Sequence, residues 1–379
     1  MTMPWIFPPS PTPPGFAVDW ARIDPLFPWL ETLRGCAQNP VYHAEGDVLT
    51  HTRLVAEALA ADPDWRALDA TTRGAVFAAA LLHDIGKPAT SEVKPDGRIS
   101  SPGHARKGAH LAQDILYREW TGRPVPLDLR RMILWLVRFH GLPLWDISHP
   151  EFQRAALRCS LGGPNRLVAM LARADVLGRI CQDQQGLLDK LELFREYSLE
   201  QGCLDGPYPF PSDHTRYVYF HSEGRSPLVE AYDDTRCQAV LMSGLPGSGK
   251  DTWIAANLPG WPVISLDSIR GELDVSPAEP QGPVVERAHQ LARGYLRDGV
   301  DFVWNATNVS SRLRRSLVEL FTANRARVRI VYLETRWPEL LRRSDHRDRP
   351  VPAEVLDKLA RILEVPDPSE AQQVEWLET

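Results

Sequence analysis

The chain has 379 residues, 43% hydrophobic and 24% charged, the balance of a soluble globular protein with room for two domains that each bury a core. A net charge of −6 excludes a globally basic nucleic-acid coat, and no run of about 18 apolar residues exists to span a membrane. Five cysteines, odd in number and widely spaced, predict reduced thiols and a cytoplasmic protein.

Residues 1–20 read as a proline-rich arm, extended and without the apolar core of a signal peptide. Residues 21–205 read as helical. One helix is predicted from near Asp47, with His51, Leu54, Val55 and Ala58 on one face. A second, from about Thr71, carries Val76, Ala79, Ala80 and His83; Asp84 follows, and Gly86 and Pro88 end the helix. A third carries Ile133, Leu136, Val137 and His140, and a fourth Val168, Leu171, Ala172 and Asp175. Each set has the spacing of a buried stripe, and each includes an imidazole or a carboxylate. A single histidine on an apolar face is ordinarily a satisfied core residue, whereas a carboxylate there costs several kcal/mol unless paired or metal-bound. Four such helices can satisfy one another around divalent ions. His51, His83, Asp84 and Asp175 fit one site; His104 and His140 complete a second, with Asp84 bridging. Mixed nitrogen and oxygen ligands suit transition metals.

The ordered set Thr50-His51-Thr52, Leu82-His83-Asp84-Ile85-Gly86-Lys87, His104 before Gly108-Ala109, Phe139-His140-Gly141 and Ala174-Asp175 resembles the HD phosphohydrolase superfamily. The resemblance implies one or two divalent ions (Mn, Co, Ni or Fe) that activate a water for attack on phosphorus. It also places His43 and Lys87 nearby, to bind the phosphate or protonate the leaving oxygen; for either alone, a surface position is the plain alternative.

Leu187 to Leu199 is expected as a further helix. Residues 206–236 read as a linker, with a turn-rich joint at Gly206–Pro211 and a short strand at Tyr217–Phe220. From 237 onward, strands and helices alternate as in a parallel α/β sheet. Ala239–Ser243 is a strand that breaks into Gly244-Leu245-Pro246-Gly247-Ser248-Gly249-Lys250, the phosphate-loop spacing, and a helix follows. Backbone N–H groups of such a loop cradle phosphate, and the lysine reaches the β/γ-phosphates. Gly244, Pro246, Gly247, Ser248, Gly249, Lys250, Asp251 and Thr252 are therefore expected at a nucleotide. Asp251 stands where a Ser or Thr usually binds Mg2+; a carboxylate is a hard-cation ligand, so Asp251 is expected at the metal, directly or through water. Further strands are expected at Pro262–Ser265, Asp301–Trp304 and Val328–Leu333, with helices at about Ser311–Ala323 and Trp337–Asp345. From Asp301 to Pro350 eleven Arg stand against six acidic residues, a local balance of +5 that suits phosphates and equally a solvated helix face.

Residues 237–363 resemble the 5′-hydroxyl polynucleotide kinases of phage and bacterial RNA repair. By that resemblance Lys250 serves the ATP phosphates, Asp267 accepts the proton of the attacking hydroxyl, and Arg270 holds the acceptor's 3′-phosphate. Arg343 and Arg347 form a lid over the ATP phosphates, and Thr307 and Asn308 line the acceptor site. Ala306 stands where the phage enzyme has Asp. For Asp267 and Arg270 the bland alternative is a salt bridge at a helix start. The order of both motif sets resembles the bacterial HD-polynucleotide kinase family of RNA end-healing enzymes. The expected architecture is an all-α HD-domain phosphohydrolase followed, over 237–379, by an α/β P-loop kinase with a parallel sheet and helical lid. The expected enzyme uses ATP, or another NTP, with Mg2+ to phosphorylate 5′-hydroxyl ends, and hydrolyses 2′,3′-cyclic phosphate or 2′-phosphate ends. Its expected partners are RNA ends, with DNA ends as the alternative, and a separate RNA ligase. Two other readings stay open: a small-molecule kinase fused to a nucleotide phosphohydrolase, and an ATP-sensing module that gates the hydrolase.

Overall fold

Asp47 and Asp69 each start a helix by accepting hydrogen bonds from backbone N–H groups of the first turn, Asp47 from Thr50 (2.8 Å) and Asp69 from Thr71 and Thr72 (3.0 and 3.1 Å). The helices so begun, Val48–Ala61 and Ala70–Leu82, run into the core of the first of two units into which the chain divides at Pro209 and Phe210. The computed structural model describes residues 5–120, 122–276, 279–346 and 350–379.

The first unit is helical, as its periodicity predicts. Around the two capped helices pack His104–Asp114, Leu127–Phe139 and Asn165–Leu177, and Gln184–Glu200 packs on Asn165–Leu177. A short antiparallel ribbon, β1 (Glu92–Val93) and β2 (Ile99–Ser100), sits between the second of these helices and His104. Gly86 permits the approach that matters most. A Cβ there would lie 2.1 Å from the His104 carbonyl oxygen, so a larger residue would push that helix away from the His83–Asp84 turn. The proline-rich start is not a free arm. Trp5 and Phe7 are buried, Phe7 stacks on Phe27 at 5.5 Å, and Trp5 Nε1 donates to the Arg123 carbonyl. Pro8, Pro9, Pro13 and Pro14 lie in turns, and the aromatic side chains of Trp5 and Phe7 fill the core.

In the second unit, the described residues include five strands in one parallel sheet, in the order β4-β5-β3-β6-β7. They are β3 (Cys237–Ser243), β4 (Val263–Ser265), β5 (Phe302–Asn305), β6 (Ala326–Glu334) and β7 (Gln373–Glu378). The central β3 is a continuous apolar run because both of its faces are covered; Val240, Leu241 and Met242 are fully buried. Because every pairing is parallel, the connections after β3, β4, β5 and β6 all emerge at one carboxyl edge, where ligands bind in such sheets. The edge strand β7 and the helices Gly282–Asp298 and Ala353–Arg361 escaped the sequence reading.

The stretch expected as a linker belongs largely to this unit. Tyr217–Phe220, expected as a strand, lies in the helix Asp213–His221, capped by Ser212. Its aromatic residues suggested a strand, but the cap and tertiary packing decide otherwise: Tyr217 stacks on His221 one turn later and bonds Thr322 Oγ1 at 3.1 Å.

Candidate active sites

The first site gathers at the buried ends of four helices. His83 and His140 follow the last residues of their helices, and His104 opens its own. Each of the three places Nδ1 against the backbone carbonyl three residues earlier: His83 on Ala80 (2.7 Å), His104 on Ser101 (2.8 Å) and His140 on Val137 (2.8 Å). A carbonyl only accepts, so each Nδ1 carries a proton and each Nε2 is the ring nitrogen left facing the centre. Asp84 sits between them. Its Oδ2 is 3.2 Å from His83 Nε2 and 3.8 Å from His51 Nε2, and its Oδ1 is 3.5 Å from His104 Nε2 and 3.9 Å from His140 Nε2. His51 Nε2 also meets Asp175 Oδ1 at 3.0 Å. Among the described residues three groups have ligand atoms close enough to share an ion: His51, His83 and Asp175; Asp84, His104 and His140; and His43, Glu45 and His51.

Three observations fit metal ions here. Among the described residues, neither Asp84 oxygen nor His83 Nε2 makes a well-formed hydrogen bond, although all are buried. His104 Nε2 and His140 Nε2 face each other at 3.3 Å, close enough to share a cation. Burial, and after it the neighbouring His83, push the His140 pKa down to about 3, so that ring is uncharged at neutral pH. Burial also opposes ionisation of Asp84, but His83 and the Lys87 ammonium outweigh it and hold the carboxyl well below its ordinary range.

Lys87 and His43 lie where they were expected, beside the centre. Lys87 Nζ is 2.6 Å from Asp84 Oδ2 and donates to Gln38 Oε1 at 2.6 Å. His43 bonds Glu45 through Nδ1 at 2.8 Å, and burial together with the Lys87 charge lowers its pKa to about 4. At neutral pH His43 is thus an uncharged ring. Three residues were missed in the sequence. Glu45 Oε1 lies 2.8 Å from His51 Nδ1 and orients that ring; Arg179 grips Asp175 with two bonds, of 3.0 and 2.6 Å; Gln38 holds Lys87. The four-residue spacing of Asp175 and Arg179 was a readable signal. His51, between Asp175 and Glu45, has a raised pKa: burial opposes its charge, and the two carboxylates outweigh the burial.

In the second unit the loop after β3 turns at Gly244 (φ 143°), Gly247 (φ 87°) and Gly249 (φ 90°). At Gly244 a side chain is also excluded by space, since a Cβ would meet the Leu333 carbonyl at 2.3 Å. Lys250 Nζ donates to the loop carbonyls of Gly244 (3.0 Å) and Leu245 (2.9 Å), and Pro246 and Ser248 lie within the same turn. Asp251 and Thr252 are exposed in the first helical turn, and Asp251 Oδ1 accepts a 2.6 Å bond from Asn305 Nδ2. Asp267 opens the helix Leu266–Glu272 just beyond β4; it is exposed and ion-paired with Arg270. Arg343 is on the helix Trp337–Asp345 beyond β6, where Glu339 and Thr335 hold its guanidinium (2.8 and 3.1 Å). Arg347 lies outside the described residues.

The pair expected at the acceptor site, Thr307 and Asn308, also has backbone and side-chain bonds to β3 and the phosphate loop. Asn308 is buried, donates its amide to the Met242 carbonyl (2.7 Å) and has a positive φ of 43°. The Thr307 carbonyl accepts from Gly244 N–H at 2.8 Å. These residues brace the phosphate loop from behind, because the segment after β5 runs alongside β3.

Comparison with known proteins agrees with this division. The HD domain family matches residues 48–177, and an AAA domain family matches residues 240–366. Two curated relatives are each named Multifunctional CCA protein. That of Cupriavidus metallidurans is 35% identical over 164 residues, 41% of this chain and 35% of the relative. That of Halorhodospira halophila is 33% identical over 116 residues, 30% of this chain and 24% of the relative. The chain thus spans about a third or less of the length of the curated relatives it matches. The crystal structure of a sugar kinase from a Janibacter species shows 18% identity and a TM-score of 0.31 over 38% of this chain and 85% of that chain. Among the described residues no helix is long and apolar enough to cross a membrane. The chain joins a helical unit that matches the HD domain family and carries a candidate divalent-metal site to an α/β unit that matches an AAA domain family and carries a glycine-rich phosphate loop.

Proposed function

We propose that the protein is a bifunctional enzyme that heals broken RNA ends. The observation that carries this reading is the presence, in separate units of one chain, of two sites for opposite phosphate chemistry. One is a buried histidine–carboxylate centre beneath an open cleft. The other is a phosphate loop sharing a sheet edge with the Asp267–Arg270 pair. The relatives' name, Multifunctional CCA protein, fits a chain with more than one activity.

In the HD domain His51, His83, Asp84, His104, His140 and Asp175 would hold the ions. Divalent metal supplies Lewis acidity and a lowered pKa for water. The protein's own part is to aim unprotonated Nε2 atoms inward, to keep Asp84 ionised, and to hold a proton at Lys87 Nζ near the leaving oxygen. Water adds to phosphorus, one ester P–O bond of the 2′,3′-cyclic phosphate breaks, and the departing ribose oxygen takes the proton. In the kinase domain a 5′-hydroxyl oxygen bonds to the γ-phosphorus of ATP, the bond to the β-phosphate breaks, ADP leaves, and Asp267 accepts the hydroxyl proton. Asp251 would meet the nucleotide's Mg2+ through the carboxylate oxygen that Asn305 does not engage. Arg270 and Arg343 supply positive charge at the same sheet edge, and a separate ligase would seal the healed ends.

The test is incubation with radiolabelled ATP and a 5′-hydroxyl oligoribonucleotide ending in a 2′,3′-cyclic phosphate. Label on the RNA together with opening of the cyclic phosphate is expected. Transfer of label to a sugar or mononucleotide but not to RNA would overturn the reading.

A further inference from the structure

The cleft over the HD centre, about 560 Å3, is lined by more than the groups that hydrolysis needs. Its volume lies in the range of small-molecule sites. Besides Asp84, Lys87, His104 and His140, the lining includes Lys94 and Arg98 of the ribbon and the aromatic rings of Tyr42 and Trp145. The ribbon carries four charged side chains, Glu92, Lys94, Asp96 and Arg98, and the two that line the cleft are the cations. Their present partners are Glu92 (2.5 Å) and Asp96 (2.6 Å), exposed ion pairs that a phosphate displaces at little cost. The ribbon is built to hold them. Lys94 N–H bonds the Arg98 carbonyl at 2.7 Å, and Gly97 N–H bonds the Lys94 carbonyl at 2.9 Å, so the two side chains flank one tight turn. Directly after the ribbon, the Ser101 carbonyl is the partner of His104 Nδ1, which ties the ribbon to the metal centre. Tyr42 and Trp145, 50% and 41% exposed, line the cleft with ring surface free for a ligand, although Trp145 also meets the His149 ring at 4.8 Å. Cations interleaved with open aromatic faces are how proteins take single-stranded nucleic acid.

We propose that Lys94, Arg98, Tyr42 and Trp145 form a subsite for the nucleotide bearing the scissile phosphate. The two cations take the phosphodiester on its 5′ side, and an aromatic ring takes its base. The inference rests on the reading of the HD centre as a hydrolase of RNA 3′ ends, and adds that it prefers chain ends to free nucleoside cyclic phosphates.

The experiment compares steady-state hydrolysis by the metal-loaded full chain of a nucleoside 2′,3′-cyclic phosphate and a dinucleotide ending in the same group. The parent is expected to favour the dinucleotide by about tenfold in kcat/KM, mainly through KM, the size of a charge-assisted hydrogen bond. The Lys94→Ala/Arg98→Ala double variant, with metal content and thermal unfolding matching the parent, is expected to bring the ratio near one. Lys107→Ala, an exposed charge outside the cleft lining, should leave it unchanged. Equal rates on both substrates in the parent, or a preference that survives the double variant, overturns the subsite. Hydrolysis of simple phosphomonoesters with neither cyclic phosphate opened marks instead a failure of the reading beneath it, and the subsite falls with it.

Discussion

His83, His104 and His140 owe their readiness for metal to a backbone carbonyl at Nδ1, whereas His51 has Glu45 in that role. Such partners set tautomer and ring orientation and commonly change metal affinity by about 10- to 100-fold. We predict that the purified protein carries a transition metal by elemental analysis, that His83→Ala lowers its content, and that Glu45→Gln weakens binding in a metal titration by about tenfold. Metal-free protein with full phosphoesterase activity would return these histidines to a packing role. At the phosphate loop, Asn305 holds one oxygen of Asp251. Asp251→Ala should therefore raise the Mg2+ concentration giving half-maximal phosphoryl transfer. Asn305→Ala should shift it the same way but less, and Asp251→Ser should be tolerated. A Mg2+ titration of Asp251→Ala that overlays the parent would show that this carboxylate does not serve the metal.

Among the elements, the segment between β5 and the helix Ser311–Ala323 braces the phosphate loop. Its anchor is Arg314, fully buried, which grips Glu370 with two bonds (2.7 and 2.9 Å) and donates to the Asn308 carbonyl at 3.1 Å. Ser243 Oγ donates to the same carbonyl at 3.0 Å, linking the segment to β3. Removing one member of a buried pair leaves the other desolvated and uncompensated. We predict that Arg314→Met costs the second unit about 3 kcal/mol in urea unfolding, and that it slows phosphoryl transfer more than ATP binding weakens. A loss below about 1 kcal/mol, the range of exposed pairs, would contradict a bracing role.

For the whole molecule, the consequence of two units is independence. The two proposed sites share no residue, and their central carboxylates differ in setting: Asp84 is buried among imidazoles, and Asp267 is exposed at a helix start. We predict that Asp267→Ala loses 5′ phosphorylation and keeps opening of a 2′,3′-cyclic phosphate, and that Asp84→Ala does the reverse. Each loss should be on the order of 10² to 10⁴ in rate, plain on a gel. If either change silences both reactions in folded protein, the sites are coupled, and an ATP-gated hydrolase becomes the better account.

Much of this was open to the sequence because the physics is local. An N-cap aspartate, a 3.6-residue stripe and a glycine-rich turn between strand and helix act within a few residues, so His51, His83, Asp84, Asp175 and Lys250 could be named from spacing. The limits appear where a residue's role depends on a distant partner. The aromatic run at 217–220 is a helix because of the Ser212 cap and the contact with Thr322. Asn308 is a brace because β5 lies against β3, which brings the Met242 carbonyl to its amide. Arg98 reaches the cleft and Trp5 reaches the Arg123 carbonyl through tertiary contacts that no periodicity records. Composition and spacing determined which chemistries the chain can hold; long-range packing alone decided which side chains face them, since burial and hydrogen-bond partners are set by neighbours far away in sequence.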